Sequence, residues 1–242
     1  MAELAATPAP LASTAGLEKD RSYLWRRLHS FTGVLPVGAF MLFHLFENMA
    51  AIGGEKAYNA GIAHLASLLP IPYFFLIEIG VIVLPIAYHG LYGVYLAIEG
   101  KPNVGAYAFR RNFLYLAQRV TGVIALLYLA YHVVSLRVQI TMLEAGGKVS
   151  GFSGIEGHPG YVSFGDMVQH YSNPLVLGFY FVGTLACAFH LANGLNGFCW
   201  TWGIAVGERA RKVVEWLSWV VFIVLSVPFL HILYSFRLAG GH

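Results

Sequence analysis

Five stretches of this chain are too long and too apolar to belong anywhere but across a lipid bilayer. Spanning about 30 Å of hydrocarbon takes about 20 helical residues. Runs of that scale lie at 31 to 52, 72 to 98, 113 to 136, 174 to 203 and 213 to 237. Backbone groups left unpaired in lipid are costly, so each run must be a helix or part of a closed barrel. None shows the period-two alternation of a barrel strand. The expected fold is therefore all-α: an integral membrane bundle of five helices, forming one domain over residues 21 to 242. Composition agrees, with 57% of the 242 residues hydrophobic and 11% charged, against roughly 25% charged in a soluble domain.

Several function classes drop out early. A net charge of +3 supplies no basic field for nucleic acid. Cys187 and Cys199 share one apolar run without a C-x-x-C or C-x-x-C-H pattern, which argues against disulfide scaffolding, zinc and covalently attached haem. Residues 1 to 20 carry Glu3 and two prolines but no long apolar core, so they do not read as a secretory signal. They are expected to form a mobile cytoplasmic tail. Pro36, Pro85 and Pro228 fall inside three of the helices, where each removes a backbone donor and predicts a bend.

Orientation follows from the loop cations. Lys19, Arg21, Arg26 and Arg27 precede the first helix, Lys101, Arg110, Arg111 and Arg119 lie at the second junction, and Arg209, Arg211 and Lys212 at the fourth. Of the 15 lysines and arginines, only Lys56, Arg137, Lys148 and Arg237 fall on the other side. This predicts a cytoplasmic N-terminus and, after five crossings, an outer C-terminus. The longest connection, about 137 to 173, lies outside. It is glycine-rich, and its apolar stretch from Tyr161 to Val168 is expected to lie along the interface.

Histidine inside a membrane helix is expensive and marks a site. The first four helices carry one each, His44, His89, His132 and His190. At 1.5 Å per residue, His44 lies roughly 20 Å and His132 roughly 28 Å from the inner edge, both in the outer half. His89 lies roughly 14 Å from that edge and His190 roughly 24 Å below the outer one. Depth thus pairs His44 with His132 and His89 with His190. Two imidazoles per layer, on facing helices, are what a bis-histidine haem needs. Gly38, Gly90, Gly93, Gly122, Gly183 and Gly194 would let a flat ring approach. A bare metal ion fits less well, since no carboxylate or cysteine cluster joins the four.

The strings RRLHSFTGVLPVGAFMLFHL (26 to 45), YHGLYGVYLAIEG (88 to 100), RRNFLYLAQRVTGVIALLYLAYHV (110 to 133) and LGFYFVGTLACAFHLANGLNGFCWTWGI (177 to 204) resemble the cytochrome b subunit of succinate:quinone oxidoreductase. The closer resemblance is to the five-helix, di-haem type, which also serves quinol:fumarate reductases. It covers about residues 21 to 237. The resemblance implies two haem b groups, with His89 and His190 on the proximal haem and His44 and His132 on the distal one. It also implies anchorage of an FAD-bearing flavoprotein and an iron–sulfur subunit on the cytoplasmic side of a bacterial inner membrane. Electrons would pass through both haems to a membrane quinone near the distal haem, with menaquinone the expected acceptor, and a higher oligomer of the complex is compatible with this. Some fumarate reductases of the type have a glutamate two residues before the fourth-helix ligand, where this chain has Ala188, and His231 has no evident counterpart.

Haem propionates want cationic or hydrogen-bonding partners. Arg27, His29 and Ser30 on helix one, with Arg119 and Thr121 on helix three, lie at the inner ends in the related strings RLHSFTGV and RVTGV. Quinone chemistry near the outer haem needs ionisable or hydrogen-bonding groups, for which Glu47, Asn48, His64, Glu78 and His231 are the candidates. Glu78 is costly in lipid unless protonated or paired. Dicarboxylate chemistry has no motif here and falls to partner chains. Two other readings stand beside this one: the cytochrome subunit of another respiratory complex, and a haem-free transporter or structural membrane protein whose histidines only make polar contacts.

Overall fold

The computed structural model describes residues 14–68, 76–147, 149, 151–158 and 160–240. Among the described residues five helices are long and apolar enough to cross a membrane: α1 (Ser22–Gly53), α3 (Glu78–Glu99), α4 (Arg110–Leu143), α6 (Pro174–Thr201) and α7 (Glu208–Ala239). Among the described residues two further helices lie between them, α2 (Glu55–Leu68) and the short α5 (Phe164–His170). Of the tail expected over 1 to 20, residues 14–20 form the opening turns of the helix that becomes α1, and residues 1–13 fall outside the described set. The expected start of the second span at 72 also lies outside it.

The apolar runs locate the crossings, but the helices overrun them. α1 begins well before residue 31, α4 continues past 136 and α7 starts before 213. Charged residues interrupt those extensions, Arg26 and Arg27 in α1, Arg137 in α4 and Glu208 to Lys212 in α7, which ends the unbroken apolar run while the helical hydrogen-bond ladder simply continues. Part of the long outer connection is also helical. Ser163 caps α5 by accepting from the Asp166 amide at 3.1 Å, and Asp166 Oδ2 accepts from the Ser163 amide at 2.9 Å. This is a capping box. The buried Asp166 carboxylate further accepts from Ser153 N (2.7 Å), Ser153 Oγ (3.0 Å) and Gly154 N (3.1 Å). A buried carboxylate is tolerable when donors surround it in this way. The result stitches residues 153 and 154 to α5 and turns Phe164, Met167 and Tyr171 into the core rather than along an interface.

Packing sorts the helices. α6, apolar on every side, lies between α4 and α7 and also meets α1, while α3 packs on α1 and α4. The four histidine-bearing helices therefore enclose a common interior, and α7 lies outside it against α6 and the later part of α1. The buried side chains concentrate at the end away from the Arg26, Arg110 and Arg209 cluster. There Tyr58, Phe164 and Phe236 form an aromatic triangle with centroids 5.0 to 5.9 Å apart, and Tyr171 meets Tyr180 at 4.9 Å. The amide of Phe164 donates to Asn59 Oδ1 (2.8 Å), tying α5 to α2.

Three crossing helices contain π-helical turns, at Gly33–Val37, Glu78–Val83 and Val133–Val138. Pro36 lies in the first, and Pro85 comes soon after the second. Each π turn inserts an extra residue and so rotates the remainder of its helix by about 100°. The third begins directly after His132. Within it Arg137 grips Glu78 of α3 in a bidentate pair, Nε to Oε1 at 2.6 Å and Nη2 to Oε2 at 2.8 Å.

Candidate haem-binding sites

The structure gathers the four histidines into two pairs, one in each half of the bundle. The His89 and His190 ring centroids are 6.0 Å apart, and those of His44 and His132 5.8 Å apart, each pair with its planes at 82°. Two metal–nitrogen bonds of about 2 Å, plus the half-width of each ring, would set the centroids roughly 6 Å apart across one iron. Among the described residues no group of three or more His, Cys, Asp or Glu could hold a metal ion. Two protein ligands are too few for an ion held by the chain alone. They are the number a porphyrin leaves open.

The His89 and His190 pair is oriented by two matching backbone ledges. His89 Nδ1–H donates to the His29 carbonyl (2.9 Å) and His190 Nδ1–H to the Gln118 carbonyl (3.0 Å). Such bonds fix the tautomer that leaves Nε2 free for a metal. Four residues beyond each carbonyl stands a glycine, Gly33 on α1 and Gly122 on α4. A Cβ at Gly33 would overlap the His89 ring, and one at Gly122 would lie 2.8 Å from His190 Cε1. The residue before each glycine is a threonine. Thr32 Oγ1 donates to the Leu28 and His29 carbonyls (both 3.0 Å), and Thr121 Oγ1 to those of Ala117 (2.7 Å) and Gln118 (3.3 Å). The related strings around Thr-Gly thus form two equivalent ledges, each presenting a carbonyl to a histidine on the next crossing helix. Gln118 adds a clamp, donating from Nε2 to the His190 carbonyl (3.0 Å) while its Oε1 accepts from Asn193 (2.8 Å).

These two histidines line a cavity of about 500 Å³ that runs between α1, α3, α4 and α6 toward the arginine-rich end, within the range of small-molecule and cofactor pockets. Its walls are mostly apolar. At the basic end are Ser30, Arg111, Asn196, Trp200 and Thr201. Trp200 Nε1 and Asn196 Oδ1 are buried without a hydrogen-bond partner, and unsatisfied buried groups of this kind call for a ligand or water. The Arg111 and Arg211 guanidinium carbons stand 4.9 and 5.0 Å from the Trp200 ring centroid. This is the chemistry of an anion seat. His29 also lines the cavity, its ring stacked on His89 at 4.1 Å.

Three residues expected at that seat stand elsewhere. Arg27 is wedged against Tyr23 and Trp202 and donates to the Thr201 carbonyl (2.9 Å). Arg119 packs on Tyr115 and reaches the Ala97 carbonyl, while Thr121 serves its own helix backbone. Arg111, Trp200, Asn196 and Gln118 are cavity residues that sequence reasoning did not reach. The one signal for them is their helical spacing from Gly122, Asn193 and His190.

In the other pair, Phe40 stacks on His44 at 5.5 Å, and Asn48 donates to the His44 carbonyl (2.8 Å) with its amide nitrogen 3.4 Å from His44 Nδ1. Glu47 Oε2 lies 4.0 Å from the same nitrogen, and Oε1 is buried with no partner. His132 Nδ1 faces the hydroxyl of fully buried Tyr180 at 3.3 Å. The remaining candidates do not converge here. His64 is on α2, His231 is exposed on α7, and Glu78 is engaged by Arg137. His231 faces outward because α7 lies outside the four-helix interior, so its depth along the axis says nothing of proximity.

No protein-family model matches the chain. It is 39% identical over 217 residues, covering 90% of this chain and 98% of its relative, to the succinate dehydrogenase cytochrome b558 subunit of Bacillus subtilis (strain 168).

Proposed function

The chain belongs to the family of succinate dehydrogenase cytochrome b subunits, and on that premise we propose that it carries two bis-histidine haem b groups. His89 and His190 hold the proximal haem, and His44 and His132 the distal one. The observation that carries this reading is the pairing of four histidines from four helices at 6.0 and 5.8 Å. When bound, the haems supply one-electron carriage between an iron–sulfur subunit and a membrane quinone.

The rest of the work belongs to side chains and backbone. The ledges at His29 and Gln118 orient the proximal ligands, and Gly33 and Gly122 make room for their rings. Ser30, Arg111 and Trp200 receive propionates at the basic end, whose excess of loop cations supports a cytoplasmic location. That end is where the iron–sulfur and flavoprotein subunits dock, in a bacterial cytoplasmic membrane. Near the distal pair, Glu47, whose Oε1 is buried without a partner, would exchange a proton with a quinone and the Asn48 amide would hydrogen-bond to it, with menaquinone the expected acceptor.

Purification without added haem, followed by reduction with succinate and then dithionite, tests the reading. A b-type difference spectrum should develop with succinate and increase with dithionite. Haem that succinate cannot reduce would point to a different respiratory partner, and no haem at all would return the histidines to structural roles.

A further inference from the structure

The two proposed ligand pairs are supported differently. Both proximal rings donate to backbone carbonyls, which no side-chain substitution removes. His132 instead depends on a side chain. Tyr180 Oη lies 3.3 Å from His132 Nδ1, 3.2 Å from His170 Nε2 and 3.4 Å from Ser135 Oγ. Its ring is fully buried against Tyr128, Tyr131 and Tyr171, so the hydroxyl has a fixed place. His170 ends the short helix α5, outside the membrane spans, where partial burial holds it below the ordinary histidine range and favours the neutral ring.

Those positions order the protons. A histidine bound to iron through Nε2 carries its proton on Nδ1 and must donate from there. The phenol oxygen accepts that bond, and its own proton then points to His170 Nε2, the acceptor nitrogen of a neutral ring. We propose that Tyr180 is a positioning residue for the distal axial ligand, accepting the Nδ1 proton of His132 and donating to His170, so that a group outside the membrane spans sets the distal haem's potential. The inference rests on His132 being a distal haem ligand. An acceptor at Nδ1 makes the imidazole a stronger donor to iron and favours the ferric state. Hydrogen bonds in series strengthen one another, which gives His170 its share of the effect.

The test is a redox titration of both b components in the purified complex with Tyr180→Phe, His170→Leu and, as a control, Tyr131→Phe. Tyr180→Phe keeps the buried ring and removes only the hydroxyl. The distal component should shift to higher potential by about tenfold in its oxidised-to-reduced ratio, ~59 mV for one electron. His170→Leu should shift it the same way by less, while the proximal component and Tyr131→Phe stay at the wild-type values. Two haems per chain with the distal potential unmoved in both Tyr180→Phe and His170→Leu would overturn the proposal. Should Tyr180→Phe fail to assemble, His170→Leu alone decides. The underlying ligand reading fails separately, through fewer than two haems in the wild type or a distal component that survives His132→Ala.

Discussion

Replacing His89 with alanine is expected to remove one b component from the purified complex and to leave the other in place. The ring stands across from His190 at 6.0 Å, held by the His29 carbonyl, and no other described histidine reaches that position except His29, whose ring stacks on it. Losing a positioning partner costs a metal site typically 10- to 100-fold in affinity, and losing the ligand itself should cost more. Haem content should therefore fall from about two to about one per chain, with His190→Ala giving the same spectrum as His89→Ala. His44→Ala and His132→Ala should match each other and remove the complementary component. Reductive titration of the four membranes reads the result. Loss of the same component from His44→Ala and His89→Ala would contradict the pairing.

A methyl group should do nearly as much harm as the loss of a ligand. At Gly122 a Cβ would lie 2.8 Å from His190 Cε1, and at Gly33 it would run into the His89 ring. Neither ring can retreat freely, because its Nδ1 is tied to a carbonyl one turn earlier on the same helix as the glycine. Overpacking of this kind costs ~1–3 kcal/mol in a well-packed core, and here the group displaced is the proposed ligand. Gly33→Ala and Gly122→Ala should deplete the proximal component while sparing the distal one. Gly178→Ala, on α6 with open space at its Cβ, should instead gain ~0.5–1 kcal/mol from helix propensity. Thermal unfolding and haem content of the three variants, measured together, separate a crowded cradle from a general effect of removing glycine.

Depth along a helix is legible in a sequence, and azimuth is not. A rise of 1.5 Å per residue is enough to sort the four histidines into two layers, because the apolar runs mark where each helix enters the bilayer. The same arithmetic places His231 near the distal layer, yet α7 packs outside the four-helix interior and its histidine faces away. Three π turns compound the difficulty, each rotating the next face of its helix. Glu78 and Arg137, which pair across two helices, each lie in such a turn.

Helices too short to cross a membrane leave no apolar run of spanning length. Nothing in the apolar pattern announces α2, and α5 has the composition of an interfacial stretch although Ser163 and Asp166 spell a capping box. At the basic end, positive charge alone singles out Arg27 and Arg119, whereas stacking on Trp202 and Tyr115 takes both away from the cavity. Arg111 lines it because it shares one helical face with Leu114, Gln118 and Gly122. The repeated Thr-Gly is visible as a pattern, but its purpose, a carbonyl offered to a neighbouring helix, emerges only from the packing.

The number of haems held by one chain is the quantity on which the pairing of the histidines depends. A pyridine haemochrome assay on the purified complex, set against the chain's concentration from quantitative amino-acid analysis, measures it directly. The four-histidine arrangement predicts about two haem b per chain; a value near one, or near zero, would contradict it.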